Sequence, residues 1–250
     1  MFGALPVEVY GAALVFARIA ALVMLIPGVG ENTVPPRIRL GLALVTALAF
    51  FPVVRAGLPP IPATVGGLFA QVGLEVLVGL AIGALLRLFL AALSITGEIV
   101  SLQTTLSFAQ TANPMGAQPS TSLSTFLSLL AIILVFATGL HQMFIAAIVH
   151  SYSLFPPGKG FPVMDFGRLA IQTTAQVFTL GVQLSAPVLV FSLVFNIAAG
   201  FVGRAMPQFQ VFFVATPLSV LLGLSIFAMS LGAVGLVWTD RFGAFLERFA

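Results

Sequence analysis

Residues 101–125 read SLQTTLSFAQTANPMGAQPSTSLST, a polar stretch with two prolines and one glycine set between long apolar runs. No Asp, Glu, Lys or Arg occurs from residue 99 to residue 158. A loop between two ordinary membrane helices usually carries at least one charge. An uncharged one reads as backbone held at membrane depth, shielded by protein or lining a watery path. The tract is therefore the first candidate for the working part of the molecule.

The surrounding sequence supplies the membrane setting. Of the 250 residues, 60% are hydrophobic and 7% charged, and the mean hydropathy is +1.16. Soluble domains run near a quarter charged, so the composition is that of an integral membrane protein. The absence of Cys excludes disulfides and thiolate metal sites. The net charge of +3 is spread thinly, and no basic run points to nucleic acid. The N-terminal MFGALPVEVY lacks a positive leader region, and Arg18 interrupts the first apolar run. It is expected to be a retained first helix rather than a cleaved signal.

Six apolar segments are expected, at about residues 9–27, 38–53, 65–93, 126–152, 169–201 and 211–238, and the third and fifth exceed the roughly 20 residues that a straight span needs. Pro187 lies near the middle of the fifth, which reads either as one kinked helix or as a helical hairpin. If all six crossed, Arg55, Lys159, Arg168, Arg241 and Arg248 would face one side and Arg37, Arg39 and Arg204 the other. That bias would put both termini in the cytoplasm. Gly79 and Gly83 form a G-x-x-x-G pair, suited to close helix packing inside the chain or against other subunits.

A few polar residues stand out against this background. Arg18, inside the first apolar segment, is costly there and reads either as structurally paired or as part of a pore or partner contact. Glu8 is too far along the same helix to be its partner. Glu75 and Arg87 lie about 18 Å apart along one helix, so each needs another partner or water. Glu98, after Gly97, opens the polar tract and reads as a helix-terminal anchor or as a proton-coupled carboxylate. His141 and His150 do not share a helix face in the manner of metal ligands, so no metal is expected. No G-x-S-x-G elbow, H-E-x-x-H pair or Walker loop occurs, and the few acids do not cluster, so no enzyme and no cofactor are expected.

The tract suits a barrier better than an active site. Its Ser, Thr, Gln and Asn neither trap nor repel ions strongly. Leu102, Leu106, Phe108 and Met115 offer a seal, and Met is soft and adaptable. Pro114, Gly116 and Pro119 prevent one continuous helix. Such a segment reads as a plug in a wide conduit or as a static re-entrant loop. A secondary transporter with a re-entrant substrate loop is the alternative from another class, but it should show paired broken segments in two related halves.

Several blocks, in order and over nearly the whole chain, carry a resemblance to a known family. They are Val34-Pro35 with Arg37, then Leu40-Gly41-Leu42-Ala43; Gly97-Glu98-Ile99 with Leu102-Gln103 and Leu106-Ser107-Phe108-Ala109; Gly139 with His141, then Phe155-Pro156; and Asn196, Gly200, Arg204, Met206-Pro207-Gln208 and Pro217. Together they resemble the FliR family of flagellar export-gate proteins of bacterial type III secretion. The resemblance implies an all-α membrane protein of long, tilted and kinked helices in hairpins with an internal polar plug loop. In it a FliP-like part (about residues 1–200) precedes a FliQ-like hairpin (about 201–250 plus the preceding helix), the whole forming one export-gate domain. It implies FliP-like, FliQ-like and FlhB-like partners in the bacterial inner membrane, at the flagellar basal body, and unfolded flagellar proteins as cargo. The plug loop would fall at about residues 106–122, with Leu106, Phe108, Gln110, Asn113, Pro114, Met115, Gly116 and Gln118 as its gate residues. Arg18, Gly97, Glu98, Arg204, Met206 and Pro207 would be structural or gate-anchoring. Where the family often has Asp before the loop proline, this chain has Asn113, which leaves a steric plug without a charge at that point.

Overall fold

The computed structural model describes residues 5–26, 28–30, 34–107, 121–206, 208, 210–247 and 249. Among them there is no strand; seven α-helices carry the fold. These are α1 (Leu5–Val23), α2 (Pro36–Val54, continued by a 3-10 turn at Arg55–Gly57), α3 (Val65–Gln103), α4 (Ser122–Ala137), α5 (Leu140–Leu154), α6 (Val163–Ala205) and α7 (Val211–Leu246). Four helical stretches are long and apolar enough to cross a membrane: Pro36–Gly57, Val65–Gln103, Val163–Ala205 and Phe213–Leu246. A fifth arises if α4 and α5 form one broken span. The chain is an all-α membrane protein.

Two expectations about the helices need correction, and one open alternative is decided. The single segment 126–152 is two helices, because Gly139 adopts a left-handed backbone (φ +76°) and serves as the N-cap of α5. Of the two readings of segment 169–201, the single helix holds and the hairpin does not: α6 runs 43 residues with Pro187 inside it. An apolar environment offers a freed carbonyl no better partner, and the remaining intrahelical bonds hold. The third segment extends past residue 93 as far as Gln103, so the first residues of the polar tract, from Ser101, belong to α3 along with Gly97 and Glu98. The charge count for orientation assumed six conventional spans and loses its premise.

Local sequence explains several helix ends. Pro36 at the first position of α2 has no N–H to satisfy, and its ring presets the helical φ. Leu58-Pro59-Pro60 stops that helix, and Pro156-Pro157 stops α5. Thr121 caps α4, its Oγ1 accepting from the Ser124 N–H at 3.2 Å.

Contacts divide the chain into two compact units. The first comprises Met1–Phe89, Gly139–Thr173 and Gly243–Ala250. Its core sets Leu14, Val15, Ile19 and Leu22 of α1 against Val78, Ile82 and Leu86 of α3, all at most 5% exposed. Gly79 and Gly83 make this approach possible. A Cβ at Gly79 would run into the carbonyl oxygen of Arg18, and one at Gly83 would meet Leu25 Cβ at 2.8 Å. The G-x-x-x-G pair therefore packs α3 on the α1 region of the same chain. Phe245 stacks on Phe89 with centroids 4.9 Å apart. Helix α2 packs on α1 but buries only Ala43, Ala47 and Val54. Ile38, Leu42, Val45 and Leu48 stay exposed, as suits a helix bathed in lipid or covered by other chains.

The second unit comprises Leu90–Thr138 and Thr174–Phe242. Leu93, Val100, Leu127, Ala131, Val188 and Trp238 are fully buried in it. Glycine again marks the close approaches. A Cβ at Gly181 would sit 2.7 Å from Ile95 Cγ2, and one at Gly223 would collide with Thr104.

Candidate functional site

Two arrangements of polar residues stand out, one in each unit. In the first, Arg18 is 1% exposed and Glu75 3%, and Arg18 Nε donates to Glu75 Oε2 at 2.6 Å. The rest of the guanidinium is also engaged. Nη1 donates to the Ser151 carbonyl at 3.1 Å, Nη2 donates to the Phe155 carbonyl at 2.8 Å, and Cζ lies 4.1 Å from the centre of the Tyr152 ring. The C-terminal carbonyls of a helix carry the negative end of its dipole; here the Phe155 carbonyl lies at that end beside the Ser151 carbonyl, which also accepts the Phe155 N–H. Arg18 thus closes the C-terminus of α5 while neutralising the carboxylate of α3. The pair borders a cavity of about 220 Å³ with Phe155, Lys159 and Phe161 on its wall. Its geometry ties α1, α3 and α5 together.

The two charges were visible in the sequence, but their pairing was not. Within-helix spacing excludes Glu8 for Arg18 and Arg87 for Glu75, and it is silent on two residues 57 positions apart. The available signal was complementary: one unmatched base in the first apolar helix and one unmatched acid in the third. Glu8 in fact meets the exposed Arg55 at 3.4 Å.

The second arrangement frames the uncharged tract. Residues 108–120 lie outside the described residues, and with them the expected gate residues Phe108, Gln110, Asn113, Pro114, Met115, Gly116 and Gln118. The flanks are described. On the near side α3 ends at Gln103, and the chain turns back through Thr105, a non-glycine residue at φ +59°. The Ser107 N–H then donates to the Ser101 carbonyl at 3.2 Å, and Leu106, half-buried, sits in this turn. Gln103 Oε1 accepts from Ser192 Oγ on α6 at 2.7 Å, and Asn196 Nδ2 donates to the same hydroxyl at 3.3 Å. On the far side the Thr121 N–H donates to Glu98 Oε1 at 2.9 Å.

Gly97 completes the frame. A Cβ there would lie 2.5 Å from Ser124 Cα and 2.6 Å from Ser124 N, so only glycine lets the start of α4 rest on α3 at this point. Gly97, Glu98, Thr121 and Ser124 together bring residues on both sides of the tract to one place on α3. Sequence reasoning singled out Gly97 and Glu98 but not Thr121, whose signature is the Thr-x-x-Ser opening of an apolar helix.

The remaining expected positions are dispersed. Arg204 lies in the last turn of α6, and Met206, just beyond it, is 59% exposed; Pro207 lies outside the described residues. His141 and His150 both belong to α5, and His150 Nδ1 lies 3.3 Å from Ser153 Oγ.

Comparison with known proteins now adds to this geometry. A model of the family described as bacterial export proteins, family 1, matches residues 9–245. The flagellar biosynthetic protein FliR of Caulobacter vibrioides is 57% identical over 242 residues, covering 97% of this chain and 96% of that protein. FliR of Escherichia coli is 30% identical over 212 residues, 84% of this chain and 80% of its own length. FliR of Bacillus subtilis is 26% identical over 94% of this chain and 91% of its own length. With a match that begins within α1 and ends within α7, the chain belongs to the bacterial export proteins, family 1, alongside the flagellar biosynthetic FliR proteins.

Proposed function

We propose that the chain is the FliR-type subunit of a flagellar protein-export gate in the bacterial inner membrane. In this reading it has no catalytic role, and it forms, with FliP-like and FliQ-like subunits and an associated FlhB-like one, a channel for unfolded flagellar proteins. The coarser part, a membrane component of flagellar protein export, follows from family membership and from the near-full-length likeness to FliR proteins. The finer part assigns residues 106–122 as a plug across the conduit. It assigns about residues 1–200 to a FliP-like part and the last helices, around α7, to a FliQ-like hairpin.

The observation that carries the plug reading is the frame around the tract. Glu98 holds Thr121, and Gly97 admits Ser124, so an uncharged segment begins and ends beside one buried stretch of α3. A segment tethered at both ends in this way can fill a constriction without becoming part of a helix. A conduit for many different polypeptides also benefits from lacking fixed charge there, since a charged ring would select its cargo. The expanse of exposed apolar surface on α2, α6 and α7 suits burial against other subunits and lipid.

The test is isolation of the tagged chain from membranes in mild detergent. The expected result is a complex holding FliP-like and FliQ-like proteins in fixed ratio. Recovery of a well-behaved monomer that binds a small solute would contradict the proposal and favour a transporter.

A further inference from the structure

Arg87 is the one strongly charged residue of α3 that points outward. Glu75 is buried against Arg18 and Glu98 is half-buried against Thr121, whereas Arg87 is exposed. Among the described residues it has neither hydrogen bond nor ion pair. Its setting is apolar: no other charge occurs on α3 for about 18 Å toward Glu75 or about 16 Å toward Glu98. Residues 88–103, which complete α3 beyond it, are too short to span a bilayer alone. A span placed wholly before Arg87 has to begin at the very start of the helix. Arg87 therefore falls within or at the edge of nearly every span α3 can make, where an unpaired guanidinium facing lipid is costly.

The surface around it is a narrow, weakly covered stripe. At helical spacing Gly73, Leu77, Leu80, Ala84 and Arg87 share one face, and all are exposed; Leu77 and Leu80 are each 44% exposed. A Cβ at Gly73 would meet nothing within 4 Å. Two small residues let another helix approach, and the two leucines give it apolar contact. The charge at the end of the stripe specifies what the approaching helix must carry. The acids described in this chain give Arg87 no partner, and Glu31 lies outside the described residues.

We propose that this stripe is the docking face for a transmembrane helix of another subunit, and that an Asp or Glu on that helix pairs with Arg87. The inference rests on the proposed role as one subunit of a gate and adds a specific contact to it. The carboxylate desolvates Arg87 only in the assembled state, so the contact selects the partner's register as well as its identity.

The test places a photo-crosslinking amino acid at Ala84 in the intact membrane complex and maps the adduct. The expected adduct is a peptide of another membrane subunit that contains an acidic residue. Arg87→Glu should lower the yield of complex about tenfold or more, Arg87→Lys should largely keep it, and an acid-to-Arg change at the mapped position should restore the Arg87→Glu chain. That restoration also shows that the variant folds. Unchanged yield for Arg87→Glu, adducts to phospholipid alone, or rescue of Arg87→Glu by Glu31→Arg would each overturn the proposal. If the unaltered chain never isolates with other subunits, the subunit reading itself fails. An intact complex that is indifferent to Arg87 removes this inference alone.

Discussion

Replacing Arg18 by Met and Glu75 by Met, singly and together, tests whether the buried pair is one unit. Both side chains are at most 3% exposed, and their contact is 2.6 Å. Removing either partner leaves the other as an uncompensated buried charge, which costs about 3–5 kcal/mol. Arg18→Met also strips donors from the Ser151 and Phe155 carbonyls, so it should be the worse of the two. Removing both charges leaves an apolar pair of similar volume, and such replacements are often close to neutral. The double variant should therefore be no less stable than either single one, a departure from additivity of about 3 kcal/mol or more. For a chain of this size 1 kcal/mol moves the unfolding midpoint by about 2–4 °C, so each single change should lower it by about 10 °C. The assay is thermal unfolding of the purified protein in one detergent at one scan rate, because membrane proteins unfold irreversibly and their midpoints depend on rate. Single effects that add to within about 0.5 kcal/mol would refute the coupling.

Other expectations follow from the frame around the tract. Gly97→Leu should destabilise the α3–α4 contact by about 1–3 kcal/mol or displace α4, because the added atoms meet Ser124 backbone; proteolytic nicking near residue 121 would report it. Thr121→Ala should cost about 1 kcal/mol through loss of the α4 cap, read as a lower unfolding midpoint. Glu98→Gln keeps an acceptor for the Thr121 N–H and should be milder than Glu98→Ala, with both acting on assembly of the complex. Normal assembly with lost export for Glu98→Gln would instead favour proton coupling. Glu8→Gln breaks an exposed pair and should leave stability within about 0.5 kcal/mol.

Composition and periodicity disclosed the class of fold because bilayer physics leaves few options. Long apolar runs without charge have to be helices that satisfy their own backbone. The places where the reading fell short are those where distant residues decide. Ser101 and Gln103 look like loop residues locally, yet α6 and α7 pack at this end of α3: Gln103 meets Ser192, and Thr104 meets Gly223. Gly139 looks like one more helix-packing glycine in an apolar run, and only its left-handed backbone reveals a break. Pro187 leaves a kinked helix and a hairpin equally open locally, and only the continuous α6 decides between them. Arg18 announced itself as unusual, but no local rule names a partner 57 residues away.

The central claim is that the uncharged tract is a barrier held in place by Gly97, Glu98 and Thr121. The most direct measurement is inner-membrane permeability to small ions and solutes in cells carrying a deletion of residues 110–118, with complex assembly verified in the same strain. The account predicts an assembled complex in a leaky membrane. An assembled complex in a membrane as tight as that of the unaltered strain would contradict it.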